Sequence, residues 1–188
     1  SGVASKPLSE AVAMGGYVWL DGEMNIQAFG GTDESPVSGN DINRPGNKEG
    51  VNNLFNKNAA KFGAGDKEGN KGKITVTWNY DDAKTVSLYA IYTGNDSRND
   101  DYNRNPRSWV LYGSNDDNDE KEYVVIDTVD DPALPNEGGQ GKYYVVDEPT
   151  AYQYYKIEFV TNSGKYFQLG EIKMLETATD IEYNFNDI

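Results

Sequence analysis

SLYAIYTGNDSRNDDYNRNPRSWVLYGSND, which spans Ser87–Asp116, decides the fold more than any other stretch of the chain. It holds two runs typical of β-strands, SLYAIY (Ser87–Tyr92) and SWVLYGS (Ser108–Ser114), in which β-branched, aromatic and aliphatic residues cluster between turn formers. The segment between them consists almost wholly of Asn, Asp, Arg, Ser and Tyr. A loop of that length without apolar periodicity is uncommon in a compact domain and is usually functional or disordered. Its amides, guanidinium groups and hydroxyls suit hydroxyl-rich ligands, so we place the candidate functional site here.

Further strand-like runs follow one another regularly from Lys73 onward. In KITVTWNY (Lys73–Tyr80), apolar and polar residues alternate with the period of two that a strand with one buried face requires. Four more runs lie downstream: YVVIDTV (Tyr123–Val129), KYYVVD (Lys142–Asp147), YQYYKIEFV (Tyr152–Val160) and FQLGEIKML (Phe167–Leu175). Turn residues break each junction. Short strands at this spacing predict an all-β chain folded as an antiparallel β-sandwich of jelly-roll type.

The N-terminal part of the chain predicts a separate element. In YVWLDGEMNIQAF (Tyr17–Phe29), Asp21 and Gly22 join two apolar-rich runs. Asp-Gly between such runs is a strong hairpin signal, because both turn residues must accept a positive φ. We therefore expect an N-terminal extension with a β-hairpin over residues 1–35 and the sandwich over residues 36–176. Residues 177–188 are expected to form an edge strand or a linker.

Composition excludes several classes of function. The 188 residues include 31 acidic and 17 basic side chains, and the net charge of −14 repels both phosphate backbones and anionic lipid headgroups. We therefore expect no nucleic-acid partner and no membrane partner. The chain has no Cys and no His, which excludes disulfides, zinc thiolate sites and a Ser-His-Asp triad. Only carboxylates, Tyr, Lys or Arg are left for catalysis.

Five segments together resemble consecutive parts of one known family. They are EGVNNLFNKNAAKF (Glu49–Phe62), TVSLYAIYTGND (Thr85–Asp96), NPRSWVLYGSND (Asn105–Asp116), AYQYYKIEFV (Ala151–Val160) and FQLGEIKM (Phe167–Met174). The family is that of the discoidin, or coagulation factor 5/8 type C, domains, which share the galactose-binding-like sandwich and include the carbohydrate-binding modules of family 32. The resemblance implies an eight-stranded jelly roll that binds ligand with loops at one end. It also implies a non-catalytic domain attached to a secreted or surface enzyme or adhesin.

The resemblance further implies which residues bind the ligand. In sugar-binding relatives, an Arg and an Asn of the variable loop bond sugar hydroxyls while an aromatic side chain of another loop stacks on the sugar ring. By position, Arg98 and Asn105 match the loop residues, and Tyr166 matches the aromatic. The complete candidate set is Asn95, Asp96, Arg98, Tyr102, Arg104, Asn105 and Tyr166. The alternative is an internal role for the arginines, with Arg98, Arg104 and Arg107 pairing with Asp96, Asp100 and Asp101 to order the loop.

A structural calcium ion is also implied by the resemblance. Its ligands would be the carbonyls of Leu54 and Ala60, the side-chain oxygens of Asn56 and Asn58, and the carboxylate of Glu171. Calcium takes six to eight oxygens, and its affinity rises with the charge of the ligands. Here Asn stands at both places where the family has Asp. Two outcomes stay open: a weak calcium site, or a loop without calcium that is closed by hydrogen bonds.

We thus expect a non-catalytic carbohydrate-binding module that targets a secreted or cell-surface, glycan-active bacterial protein to its substrate. Its partners would be a glycan or oligosaccharide and other domains of the same polypeptide, in an extracellular or periplasmic location. Two alternatives remain. One is a protein-binding or spacer domain of a surface assembly. The other is a small carboxylate-dependent glycan hydrolase or lyase with acids such as Glu158 and Glu171, for which the sequence shows no paired arrangement.

Overall fold

A computed structural model of the protein describes residues 2–3, 16–30, 48–64, 72–98, 103–162 and 167–177. One 3-10 helix covers Val51–Phe55, and the remaining elements of this part of the chain are strands. In chain order they are β1 (Gly2–Val3), β2 (Tyr17–Trp19), β3 (Met24–Gly30), β4 (Phe62–Ala64), β5 (Lys73–Thr85), β6 (Leu88–Tyr92), β7 (Pro106–Ser114), β8 (Val124–Val129), β9 (Gly141–Val145), β10 (Ala151–Thr161), β11 (Phe167–Leu169) and β12 (Glu171–Thr177). No helix within these ranges is long and apolar enough to cross a membrane.

Two five-stranded antiparallel sheets enclose one core. The first has the strand order β1-β9-β6-β12-β2 and the second the order β3-β5-β10-β7-β8, while β4 and β11 pair separately. The two sheets meet through aromatic side chains. For example, the ring centroid of Trp109 on β7 lies 4.9 Å from that of Tyr144 on β9 in an edge-to-face arrangement. The all-β antiparallel sandwich predicted from the sequence is confirmed.

The alternation in KITVTWNY sets the inner face of β5. Ile74, Val76, Trp78 and Tyr80 are at most 2% exposed and belong to the core, and the residues between them point to the other face of the sheet. A strand places successive side chains on opposite faces, so this sequence pattern is enough to fix which side of β5 is buried. Burying four large apolar side chains contributes on the order of 6–12 kcal/mol before the entropy cost of folding.

The hairpin predicted at Asp21 and Gly22 is wrong. Strand β2 pairs with β12 in the first sheet, whereas β3 pairs with β5 in the second, so the two strands separate after the turn. Gly22 has a φ of +79°, as the turn signal requires, but the turn changes sheets. The reason is burial: Leu20 and Ala28 are 3% and 0% exposed and both pack in the core between the sheets. In the described structure this segment is therefore part of the sandwich.

Candidate functional site

The polar loop between β6 and β7 lies at one end of the sandwich, against the loop that joins β8 to β9. The buried Thr93 accepts a hydrogen bond from the Gln140 N–H at 3.0 Å and donates its hydroxyl to the Glu137 carbonyl at 2.6 Å. The contact is close at Gly138, where a Cβ atom would come within 2.6 Å of the Gly94 and Asn95 carbonyls. The two loops therefore form one surface.

Asp96 contacts several other residues of the described part of this loop and its neighbours. Its Oδ1 lies 2.6 Å from Lys61 Nζ, its Oδ2 lies 3.0 Å from an Arg104 nitrogen, and its N–H donates to Gln168 Oε1 at 3.2 Å. Partial burial acts to raise the pKa of Asp96, but the hydrogen bonds and the positive charges of Lys61 and Arg104 hold that pKa below its ordinary value. The carboxylate thus stays ionised and fixes three segments of the chain.

Arg104 therefore has an internal role in the described structure. Besides the ion pair, it donates from its guanidinium group to the Asp96 carbonyl at 3.2 Å, and its backbone carbonyl accepts the Gln168 N–H at 2.9 Å. For Asp96 and Arg104, the structure therefore matches the alternative in which ion pairs between residues of the loop hold its conformation. Those two predicted ligand residues contact each other before any ligand is considered.

Arg98 and Asn95 have a different environment. Both are exposed at the surface of the loop, and a bridge between Arg98 and Asn103 closes the loop at its base. No residue within the described part of the chain forms an ion pair with Arg98. Asn95 accepts one hydrogen bond from Lys61 Nζ, at 2.8 Å, and its side chain keeps further hydrogen-bonding capacity. Solvent reaches these two side chains and also the Asp96 carboxylate, whose side chain is 54% exposed.

The remaining predicted ligand residues do not join them. Asn105 is only 3% exposed, and its side-chain amide donates to the Pro135 carbonyl at 3.3 Å, so it ties the two loops together. Its Oδ1 is buried and accepts no hydrogen bond from any described residue. Tyr102 and Tyr166 lie outside the described residues. The predicted set is thus divided between the exposed Arg98 and Asn95, three residues engaged in the loop framework, of which Asp96 is also exposed, and two positions without a structural description.

The predicted calcium loop is held by its own amides. Asn56 Oδ1 accepts the Asn58 N–H at 3.3 Å, and Asn58 Oδ1 accepts the Ala60 N–H at 2.7 Å. Leu54 is fully buried in the core. Both side-chain oxygens expected to bind the ion are therefore already engaged by backbone donors, which is how an Asx turn stabilises a short loop.

Glu171 is engaged in the same way. It is 6% exposed, and both carboxylate oxygens lie 3.1 Å from the Lys57 N–H. Burial raises the pKa of Glu171 to about 7, the charge of Glu23 adds to the rise, and the Lys57 N–H and ammonium oppose it. Lys57 adopts a left-handed conformation with φ of +57°, and its ammonium group pairs with Asp21 and lies 4.5 Å from the Trp19 ring centroid.

This donor set fits a weak calcium site at most. One carboxylate and two amide oxygens give little charge, and an N–H group already contacts each of them. Within the described ranges, no group of three or more Asp, Glu, His or Cys side chains could hold a metal ion. Calcium binding stays a prediction.

Two residues of this site were missed by sequence reasoning. Lys61 and Gln168 hold Asp96, yet in the sequence both stand out only as parts of segments that resemble the family. Gln168 carries a detectable signal, because a polar side chain in the middle of the buried strand β11 needs an internal partner. Lys61 carries none, since a Lys before a short strand is ordinarily solvated.

No protein-family model and no curated protein sequence matches the chain. Solved structures do match in fold. An F5/8 type C domain from Bacteroides fragilis is 13% identical with a TM-score of 0.58, over 87% of this chain and 98% of that domain. A family 32 carbohydrate-binding module of Clostridium perfringens in complex with galactose is 14% identical with a TM-score of 0.55, over 81% and 93% of the two chains.

A third similar structure is a chitosan-binding module derived from a chitosanase/glucanase of a Paenibacillus species, 10% identical with a TM-score of 0.54, over 80% of this chain and 93% of the module. The structural neighbours are thus F5/8 type C domains and family 32 modules, which confirms at the level of the fold the resemblance found in the sequence. The chain has the galactose-binding-like sandwich of these domains.

Proposed function

We propose that the chain is a non-catalytic carbohydrate-binding module that targets a secreted or cell-surface, glycan-active bacterial protein to its substrate. The observation that carries the proposal is the shared fold, because several domains with this sandwich are carbohydrate-binding modules and one of them was solved with galactose. The exposed Arg98 and Asn95, next to a framework fixed by Asp96, supply directed hydrogen-bond donors and acceptors on this fold.

Non-catalytic action is part of the proposal. Glu158 and Glu171, the two acids considered for catalysis, lie on β10 and β12, in different sheets. The Glu158 carboxylate lies 3.4 Å from Lys73 Nζ and 3.6 Å from Lys156 Nζ, and the Glu171 carboxylate accepts the Lys57 N–H. Each of the two acids therefore has a structural partner. A glycosidase needs two carboxyl groups on either side of one cleft.

The test is binding of the purified chain to a glycan array that includes terminal galactose and N-acetylgalactosamine, followed by titration of any glycan that binds. Arg98→Ala should weaken that binding at least tenfold, because a hydrogen bond from a charged group is worth about 1.5–3 kcal/mol. Lys84→Ala is the matched control, since it also removes one positive charge but lies at the far end of β5. Tyr166→Ala tests the predicted stacking residue in the same titration.

The spacer alternative has support of its own in the ion pair between Asp96 and Arg104, which joins these two loop residues without any ligand. It predicts no signal across the whole array and no effect of Arg98→Ala on any property of the domain. Release of reducing sugars from polysaccharides by the purified chain would instead favour the hydrolase or lyase alternative.

A further inference from the structure

A groove of about 790 Å³ runs along the outer face of the second sheet, away from the candidate site. Its floor is formed by the residues of β5 and β10 whose side chains point away from the core, among them Thr75, Thr77, Asn79 and Tyr154. From Lys73 to Asn79 the floor extends about 20 Å along the strand. An open groove of this length fits an extended chain of small units rather than a single ring.

The chemistry of the floor suits a hydroxyl-rich ligand. Thr75, Thr77 and Asn79 present two hydroxyls and an amide in a row, and such groups can both donate and accept hydrogen bonds. Phe29 on one side and Tyr123 on the other add aromatic surface at the edges of the groove. A few directed polar groups between aromatic side chains are the usual composition of a site for a small organic ligand.

The far wall of the groove is preformed. It is the connection between β7 and β8, whose Lys121 ammonium donates to the Asp116 and Asn118 carbonyls at 2.9 and 2.7 Å. The same ammonium lies 3.9 Å from the ring centroid of Tyr154 on the floor. Asn115 adds a hydrogen bond to the Ala151 carbonyl at 2.9 Å. The wall is therefore held against the floor, and a ligand would not need to order it.

The charged side chains on the floor of the groove form ion pairs, whereas the carboxylates on its wall do not pair with described residues. On the floor, the Glu158 carboxylate lies between the ammonium groups of Lys73 and Lys156, and Lys156 Nζ also lies 4.2 Å from the Tyr123 ring centroid, so the floor keeps one positive charge. On the wall, Asp117, Asp119 and Glu120 are exposed and form no ion pair with any residue of the described ranges. The negative charge that is left for a ligand is therefore on the wall, where these three carboxylates outnumber the Lys121 ammonium, on a chain whose net charge is already −14.

From this groove we infer a second glycan-binding surface, which takes an extended oligosaccharide that carries free amino groups, such as a glucosamine oligomer. The ring hydroxyls would bond the Thr and Asn side chains of the floor, and the ammonium groups would face the carboxylates of the wall. Acidic glycans would be repelled. The surface lies on β5, β10 and the β7–β8 connection and shares no residue with the loop that contains Arg98.

The test is titration of the chain with the β-1,4-linked hexamer of glucosamine and with its fully N-acetylated form. We expect the amine form to bind at least tenfold more tightly, and its affinity to fall as salt screens the wall carboxylates. The variant Asp117→Asn/Asp119→Asn/Glu120→Gln should lose most of this preference. The control Asp130→Asn/Asp131→Asn/Glu148→Gln removes the same charge from exposed positions outside the groove and should keep it.

Thr77→Val tests the floor, because it removes one hydroxyl with almost no change of shape, and should weaken binding of the amine hexamer about three- to tenfold. The loop site has its own readout, the effect of Arg98→Ala on binding of the array glycan, so failure of the groove and failure of the proposed loop site are distinguishable. No binding of the amine hexamer, equal affinity for the two hexamers, or equal effects of the wall variant and its control would overturn the inference.

Discussion

The hydroxyl of Tyr89 joins two other buried polar groups across the core. It accepts the indole N–H of Trp109 at 2.8 Å and donates to Asp127 Oδ2 at 2.6 Å, and all three residues are at most 3% exposed. Buried polar groups cost free energy unless they are hydrogen-bonded, so this chain of bonds is what allows Asp127, a residue of β8, to be buried.

Tyr89→Phe should therefore lower the free energy of unfolding by about 2 kcal/mol, because it leaves the Trp109 donor without its acceptor and the Asp127 carboxyl without this donor. Urea unfolding at constant pH measures the change. Tyr17→Phe, at a partly buried residue of the edge strand β2, removes the same group and should change stability by less than about 0.5 kcal/mol. Equal losses in the two variants would show that the core network contributes nothing.

Asp127 also makes stability depend on pH. Burial raises the pKa of its carboxyl above the ordinary value of 3.8, although the Tyr89 hydrogen bond opposes the rise. Folding then favours the protonated form, so the stabilisation from this group is complete below pH 3.8 and is lost as pH rises through the raised pKa. Asp127→Asn removes this dependence. The stability of the variant relative to the native chain should increase with pH in urea titrations, and a constant difference would contradict the assignment.

At the scale of elements, the segment between the 3-10 helix and β4 supports the loop between β6 and β7. Lys61 Nζ donates to both Asn95 Oδ1 and Asp96 Oδ1, at 2.8 and 2.6 Å. Lys61→Met should loosen the loop, seen as faster hydrogen exchange of the Asp96 and Ser97 amides. Global stability should change by less than about 1 kcal/mol, because a partly exposed ion pair contributes little. Unchanged exchange rates would mean that the remaining contacts hold the loop without Lys61.

The same segment sets the expected response to calcium. An ion bound through Glu171 must compete with the Lys57 N–H, so we expect dissociation constants no tighter than about 1 mM, as in weak extracellular sites. At ten times that concentration, the stabilisation would be about 1.4 kcal/mol. A rise of the melting temperature that needs millimolar calcium and disappears in Glu171→Gln supports the weak site. No rise at 10 mM calcium would mean that hydrogen bonds alone close the loop.

At the scale of the whole molecule, the sequence predicts features that depend on local periodicity, such as which face of a strand is buried. It does not predict features that depend on contacts between residues far apart in the chain, such as which strands pair. The alternation of KITVTWNY fixes the buried face of β5 because the two faces of a strand differ at every residue. The turn at Asp21 and Gly22 was recognised, but a turn signal does not say whether the flanking strands pair with each other. Which arginine of the loop is internal depends on Asp96, whose other partners Lys61 and Gln168 lie 35 and 72 positions away.

The separation of β2 and β3 into different sheets leads to the last prediction. A chain that begins at Gly31 loses both edge strands of the first sheet, β1 and β2, the edge strand β3 of the second, and the core side chains of Leu20 and Ala28. Burial of Leu20 alone is worth about 1.5–3 kcal/mol, and opening both sheets adds to the loss. We expect this truncation to lose at least about 3 kcal/mol or to fail to fold cooperatively, as measured by urea unfolding and near-ultraviolet circular dichroism. A chain that begins at Gly16 loses only the two-residue strand β1, keeps β2 and β3, and should unfold much like the full chain. If the two truncated chains were equally stable, residues 16–30 would be an extension with no part in the sandwich.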